Sequence, residues 1–224
     1  MKIAVINGSP KGKKSNTNVM VEAFLKGAQE AGAETINIFL AEKEIKHCKG
    51  CHVCWVKGPC QCVTDDDMLG VLSHLGDANI IVFATPVYFG NISGMLKVFM
   101  DRMTMIGSPH SQNDSKKNIQ ESKQAQRQAQ PPKLMMISNC GFPDRDEFQV
   151  ISLWAKRVAQ KMNMELIGEI YATSGKFLTS PPDELQSAIA DYLLNLQEAG
   201  REIVIDGKLS EMTVRKLLQD FVTE

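Results

Sequence analysis

Short apolar runs and helix-spaced segments alternate five times along this chain, and that alternation restricts its fold more than any other feature. Residues 3–6 are apolar and end in Asn7-Gly8, as a strand buried on both faces does. Residues 18–31 follow, with Val19, Met20, Ala23, Phe24 and Ala28 at helical spacing, closed by Gly32. A second strand is expected over residues 35–41. The next helix runs to residue 75 from Thr64-Asp65-Asp66-Asp67, where Thr64 offers a capping hydroxyl and the aspartates offer early negative charge. Further strands are expected over 80–84, 134–137 and 166–171, and further helices over 93–103, 147–162, 181–198 and 210–221. Such a series predicts a doubly wound α/β fold: a five-stranded parallel sheet with helices on both faces, in the order 2-1-3-4-5. In that order the sheet reverses direction between its first and third strands, and ligands bind there at the carboxyl ends.

Length and composition narrow the frame further. The 224 residues suit one domain over 1–180 with a C-terminal helical extension over 181–224. Residues 108–133 contain QESKQAQRQAQPPK, are nearly free of apolar side chains, and read as an exposed insertion. The tail beyond Gly200 is a candidate for packing on a partner subunit. A net charge of −1 provides no global field to gather nucleic acid or an anionic membrane, so neither is expected as a partner. The longest apolar run, over residues 78–90, is too short and interrupted to span a bilayer. The opening MKIAVINGSP lacks the apolar stretch of a secretion signal, and the expected compartment is the cytoplasm, where thiols stay reduced.

The loop after the first strand, Gly8-Ser9-Pro10-Lys11-Gly12-Lys13-Lys14-Ser15-Asn16-Thr17, opens a helix. A helix start supplies free backbone N–H groups and a partial positive charge, and Ser9, Ser15, Asn16 and Thr17 add side-chain donors, which together suit a phosphate. Lys11 is a further candidate contact. Neighbouring motifs fail on spacing. The dinucleotide pattern G-x-G-x-x-G breaks at Ser9-Pro10, and the Walker loop needs four residues between its glycines where Gly8 and Gly12 have three. An ordinary turn before a capped helix is the plain alternative.

Here the chain resembles a known family. NGSP-x4-SNT after the first strand, joined to Thr85-Pro86-Val87-Tyr88-Phe89-Gly90-Asn91-Ile92-Ser93-Gly94 after the third, resembles the flavodoxin-like NAD(P)H-dependent FMN reductases, and looks closest to their iron–sulfur flavoprotein branch. The likeness covers residues 1–103 and resumes over 133–175. It implies that Ser9, Ser15, Asn16 and Thr17 hold the FMN phosphate, and that Pro86, Val87, Tyr88, Phe89, Gly90 and Asn91 form the loop against the isoalloxazine ring. Such a ring needs apolar walls and backbone N–H groups near its polar edge. Gly90 would admit a close backbone approach, and Ser93 is a donor at the next helix start. By the same resemblance the loop carrying Cys140 and Gly141 flanks the ring, although Ser138-Asn139-Cys140-Gly141-Phe142 reads equally well as a tight turn.

Five of the six cysteines fall between residues 48 and 62. Cys48-x2-Cys51-x2-Cys54-x5-Cys60 brings four soft ligands into one small volume, as a cubane iron–sulfur cluster requires, and leaves Cys62 and Cys140 over. This spacing is similar to the compact motif of iron–sulfur flavoproteins. Two other readings stay open. Zinc accepts four cysteines, though its knuckles usually pair across a longer span, and metal-free structural or redox thiols need no ligand at all.

The leading expectation is an FMN enzyme that passes electrons between NAD(P)H, a transient co-substrate, or a ferredoxin-like donor and a small acceptor, with a 4Fe–4S cluster as single-electron relay. A reductase of FMN or quinone with metal-free cysteines is the second reading, and a non-enzymatic flavodoxin-like carrier the third. No catalytic side chain is expected, because N5 of the flavin is the hydride site. The resemblance also implies a homodimer or homotetramer whose subunits cover each other's rings.

Overall fold

The computed structural model describes residues 1–106 and 131–221. Five strands, β1 (Lys2–Asn7), β2 (Glu34–Phe39), β3 (Ile80–Pro86), β4 (Lys133–Asn139) and β5 (Leu166–Ala172), pair in parallel in the order β2-β1-β3-β4-β5. Val5, for example, lies opposite Asn37 on one side and Val82 on the other. Every residue of β3 is buried, which is why its sequence is a continuous apolar run and not an alternating one.

Between the strands come α1 (Asn16–Glu30), α2 (Val53–Lys57), α3 (Met68–Leu75), α4 (Gly94–Arg102) and α5 (Gln149–Met162), and after β5 come α6 (Gln186–Ile205) and α7 (Glu211–Leu217). Strand residues alternate between two cores. Ile3, Val5 and Val82 join Phe24 of α1 and Leu196 and Ile203 of α6 on one face. Ala4, Ile6 and Phe83 join Met68 of α3, Phe99 of α4 and Ile151 of α5 on the other. This is the flavodoxin-like arrangement. No helix among the described residues is long and apolar enough to cross a membrane.

Several boundaries differ from expectation for local reasons. α1 begins at Asn16 because Ser15 is its N-cap, accepting the Asn18 N–H at 3.0 Å. The second strand stops at Phe39, where Leu40–Glu42 tighten into a 3-10 turn. Thr64 does not cap α3. Asp66 accepts the Met68 N–H there, while Asp67 accepts the Glu44 N–H. α5 starts at Gln149 after a 3-10 turn over Arg145–Phe148 capped by Asp144.

The segment expected as an extension beyond residue 180 contributes to the first core: Ile189, Tyr192, Leu196 and Ile203 of α6 and Leu217 of α7 are buried in it. α1 and α6 meet backbone to backbone. A Cβ on Gly27 would fall 1.7 Å from the Gln197 carbonyl oxygen, and one on Gly200 would fall 1.9 Å from that of Phe24. The insertion expected over residues 108–133 lies outside the described residues as far as residue 130.

Candidate functional site

Loops from four strands meet at the carboxyl edge of the sheet. Ser9, Lys11, Ser15, Asn16 and Thr17 after β1, Pro86 at the end of β3 with Val87 and Tyr88 beyond it, Asn139 at the end of β4 with Gly141 beyond it, and Lys176 after β5 line one open cleft of about 450 Å³. Backbone and side-chain bonds stitch these loops together. The Gly8 N–H donates to Ala84 O at 2.7 Å, Ser93 Oγ donates to Gly8 O at 2.6 Å, and the Val87 N–H donates to Asn139 O at 2.8 Å. Gly8 itself admits no side chain, since a Cβ there would lie 2.7 Å from Leu96 Cβ.

The β1–α1 end of the cleft is built for an anion. Ser9, Ser15 and Thr17 are buried polar residues at its floor. Ser15 Oγ is spent inside the protein, donating to Gly12 O while it caps α1. Thr17 Oγ1 donates to Asn139 Oδ1 at 2.7 Å, and Asn16 Oδ1 accepts the Thr179 N–H at 3.1 Å. The first-turn N–H groups of Asn16 and Thr17 precede the first intrahelical acceptors, so they are the donors left for a ligand. A phosphate fits this chemistry.

At the opposite wall, Tyr88 and Asn91 exchange backbone hydrogen bonds around Phe89 and Gly90, both at positive φ, 51° and 69°. That two-residue turn is of the primed kind, which most often carries Asn-Gly. Tyr88 lines the cleft and is half exposed, whereas Phe89 is wholly exposed at the turn tip.

The candidate residues thus divide. Ser9, Lys11, Ser15, Asn16, Thr17, Pro86, Val87, Tyr88 and Gly141 share the cleft. Phe89, Gly90, Asn91, Ser93 and Cys140 are not among its lining residues. Ser93 works beneath it, capping α4 through the Leu96 N–H and holding Gly8. Cys140 is buried with its thiol donating to Phe142 O, and burial pushes that thiol up. Asn139 and Lys176 were not among the candidates. Their shared signal is topological: Asn139 ends β4 and Lys176 follows β5, at the edge where ligands bind.

The cysteine loop forms a second hollow of about 800 Å³, lined by Cys48, Cys51, Cys54 and Cys62 together with Arg102 and the backbone near Thr104 and Met105. It shares no lining residue with the first cleft. α4 joins the two, with Ser93 at one end and Arg102 at the other. Cys60, expected as the fourth ligand, does not line this hollow. Gly58 and Cys60 both take positive φ, the Cys60 N–H is tied to Met105 O at 2.8 Å, and its side chain is exposed.

Among the described residues Arg102 is the largest of the fully buried side chains. Its Nη atoms hold Asp66 and Lys46 O, and both ionic side chains are 1% exposed. The Arg102 Nε finds no hydrogen-bond partner. Burial pushes the Cys62 thiol up, but Thr64, through its N–H and hydroxyl, and the Arg102 charge more than reverse this and hold the thiol below its ordinary range. Cys54 moves the other way, raised by burial and by the neighbouring Cys62, Cys51 and Cys48. Among the described residues no three such side chains close around one point as a single ion would require. A cubane, which takes each thiolate on a separate iron, does not require it.

A family model described as NADPH-dependent FMN reductase matches residues 1–120. An iron-sulfur flavoprotein of Archaeoglobus fulgidus is 42% identical over 105 residues, 47% of this chain and 50% of that protein. One of Methanosarcina thermophila is 38% identical over 106 residues, 47% and 54% of the two chains. The matched stretch thus spans about half the length of these curated relatives. Among solved structures, an FMN-dependent NADH-azoreductase of Bacillus anthracis in complex with FMN superposes with a TM-score of 0.60 at 18% identity, covering 93% of this chain and 100% of that one. An NAD(P)H:quinone oxidoreductase of Methanothermobacter marburgensis gives 0.60 at 13% identity, covering 91% and 96%. At such identities these two likenesses concern the fold.

Proposed function

The chain belongs to the NADPH-dependent FMN reductase family, and from that premise we propose that it is an FMN-dependent oxidoreductase taking reducing equivalents from NAD(P)H or a ferredoxin-like donor. It delivers them to a small acceptor, and its cysteine loop carries a 4Fe–4S cluster that works in single electrons. The observation that carries the flavin assignment is the cleft itself, where the amide-rich start of α1 faces an apolar wall at Val87 and Tyr88.

The chain's own residues have separable tasks. The N–H groups of Asn16 and Thr17 bind the phosphate, aided by the charges of Lys11 and Lys176. Pro86, Val87 and Tyr88 wall the ring and keep water from that side. Thr17 and Asn139, joined by their hydrogen bond, fix the phosphate loop against the β4 loop. Bound FMN supplies a hydride-accepting N5 and the capacity to exchange electrons singly or in pairs. No side chain of the cleft is assigned as acid or base.

The cluster assignment is supported by the iron-sulfur flavoprotein relatives and by four thiols around one hollow with an unpartnered buried N–H beside them. The six free thiols suit a reducing compartment, the cytoplasm. Apolar Tyr88, Phe89 and Phe142 stand exposed near the flavin cleft, and a second copy of the chain covers them in a homodimer or homotetramer.

Anaerobic purification followed by a visible spectrum, iron and sulfide assay and NAD(P)H oxidation with a quinone acceptor tests the whole reading. Flavin bands, iron and turnover are expected. Refusal of pure apo-protein to take up FMN overturns the flavin assignment. Flavin bands without iron leave the metal-free reductase, and flavin without turnover leaves the carrier.

A further inference from the structure

We propose that the fourth thiolate of the cysteine site is Cys62 and not Cys60, so that the working spacing is Cys48-x2-Cys51-x2-Cys54-x7-Cys62. This rests on the cluster reading above and commits it to particular side chains. Spacing alone favours Cys60, the first cysteine after Cys54. Placement favours Cys62.

Three observations agree. Cys62 lines the hollow with Cys48, Cys51 and Cys54, and Cys60 does not. Second, the Cys62 sulfur already accepts a backbone N–H, from Thr64 at 3.4 Å, as the Cys48 sulfur does from Gly50 at 3.5 Å. Among the described residues no hydrogen bond to the Cys60 sulfur accompanies them. N–H donors aimed at sulfur are the outer-shell support that steadies ligand thiolates and the anionic cluster they hold. Third, Arg102 lines the same hollow and is held from behind by Asp66 and Lys46 O, yet its buried Nε has no acceptor. A cluster sulfide or the Cys62 thiolate gives that N–H its missing partner. An unpaired buried donor is otherwise a standing cost to the fold.

Cys60 is placed for something else. Its N–H anchors the loop to Met105 O, and its side chain remains exposed. In the cluster-loaded protein it stays a free surface thiol.

The test compares Cys60→Ser and Cys62→Ser with the wild type, each purified without oxygen and reconstituted with iron and sulfide. Protein-bound iron, acid-labile sulfide and the low-temperature EPR signal after dithionite reduction report the cluster, and bound FMN reports the fold. Cys60→Ser is expected to match the wild type. Cys62→Ser is expected to lose iron by at least about tenfold at unchanged FMN, the scale on which even an outer-shell partner weakens a metal site. Loss of the cluster in Cys60→Ser, or its retention in Cys62→Ser, overturns the assignment. A wild type that holds FMN but no iron retires the cluster reading and this proposal with it, and the retained flavin distinguishes that outcome from a wrong ligand.

If Cys62→Ser loses its flavin as well, the wild type alone decides the matter. Iodoacetamide mapped by mass spectrometry is expected to label Cys60 equally in loaded and stripped protein, and to label Cys62 only after the cluster is removed. The reverse pattern overturns the assignment.

Discussion

Phe89 holds a left-handed backbone conformation, which costs an L-residue about 1–2 kcal/mol, and its ring gains no burial within the chain. Phe89→Gly is therefore expected to raise stability by about 1 kcal/mol in urea unfolding of the isolated subunit. Lys176 lines the same cleft as the start of α1, and in the proposed reading its charge helps hold the phosphate. Lys176→Gln should weaken FMN about fivefold and leave riboflavin unaffected, since only FMN carries the phosphate; equal weakening of both ligands would place the lysine elsewhere. Asp66 adds a pH dependence. Burial pushes its carboxyl up, but hydrogen bonds from Arg102 and from the Lys46 and Met68 N–H groups overcome this and hold it below the ordinary carboxylate range. Its folded value lies below its unfolded one, so its stabilisation is complete above the unfolded value near pH 4 and fades as pH falls through the folded one. Urea midpoints taken from about pH 6 down to 3 should fall in the wild type. Asp66→Asn should flatten that fall and lose about 3 kcal/mol at neutral pH, because it strands the buried Arg102 charge.

Among the elements, α1 bears two duties: its first turn faces the cleft, and its flank touches α6 through Gly27 and Gly200. Gly27→Ala and Gly200→Ala each drive a methyl into a carbonyl that helix geometry holds in place. Each should cost about 3 kcal/mol, read as a lowered urea midpoint. The apolar-run and helical patterns made the strands, the main helices and the β2-β1-β3-β4-β5 order legible; the Ser9–Thr17 loop could be named from its residue types, and the Pro86–Asn91 loop from the family resemblance. What stayed hidden was contact at long range. No local pattern tells that Gly27 meets Gly200, that Lys176 reaches the cleft, or that Asp66, while accepting the Met68 N–H at its helix start, also holds Arg102. Spacing, which names Cys60, counts residues and carries no information on the positive φ that Gly58 and Cys60 adopt.

For the whole molecule, exposed Tyr88, Phe89 and Phe142 predict self-association. Phe89→Ser combined with Phe142→Ser should raise the subunit dissociation constant at least about tenfold in sedimentation experiments, as the loss of aromatic anchors does. An unchanged constant would move the interface elsewhere. The contact between α1 and α6 has a further consequence, for biosynthesis. The helix whose first amides are proposed to hold the cofactor is translated well before the helix it leans on, which begins only at Gln186. Nascent chains halted before Gln186 should therefore fail to retain flavin, and chains extended past Ile205 should retain it.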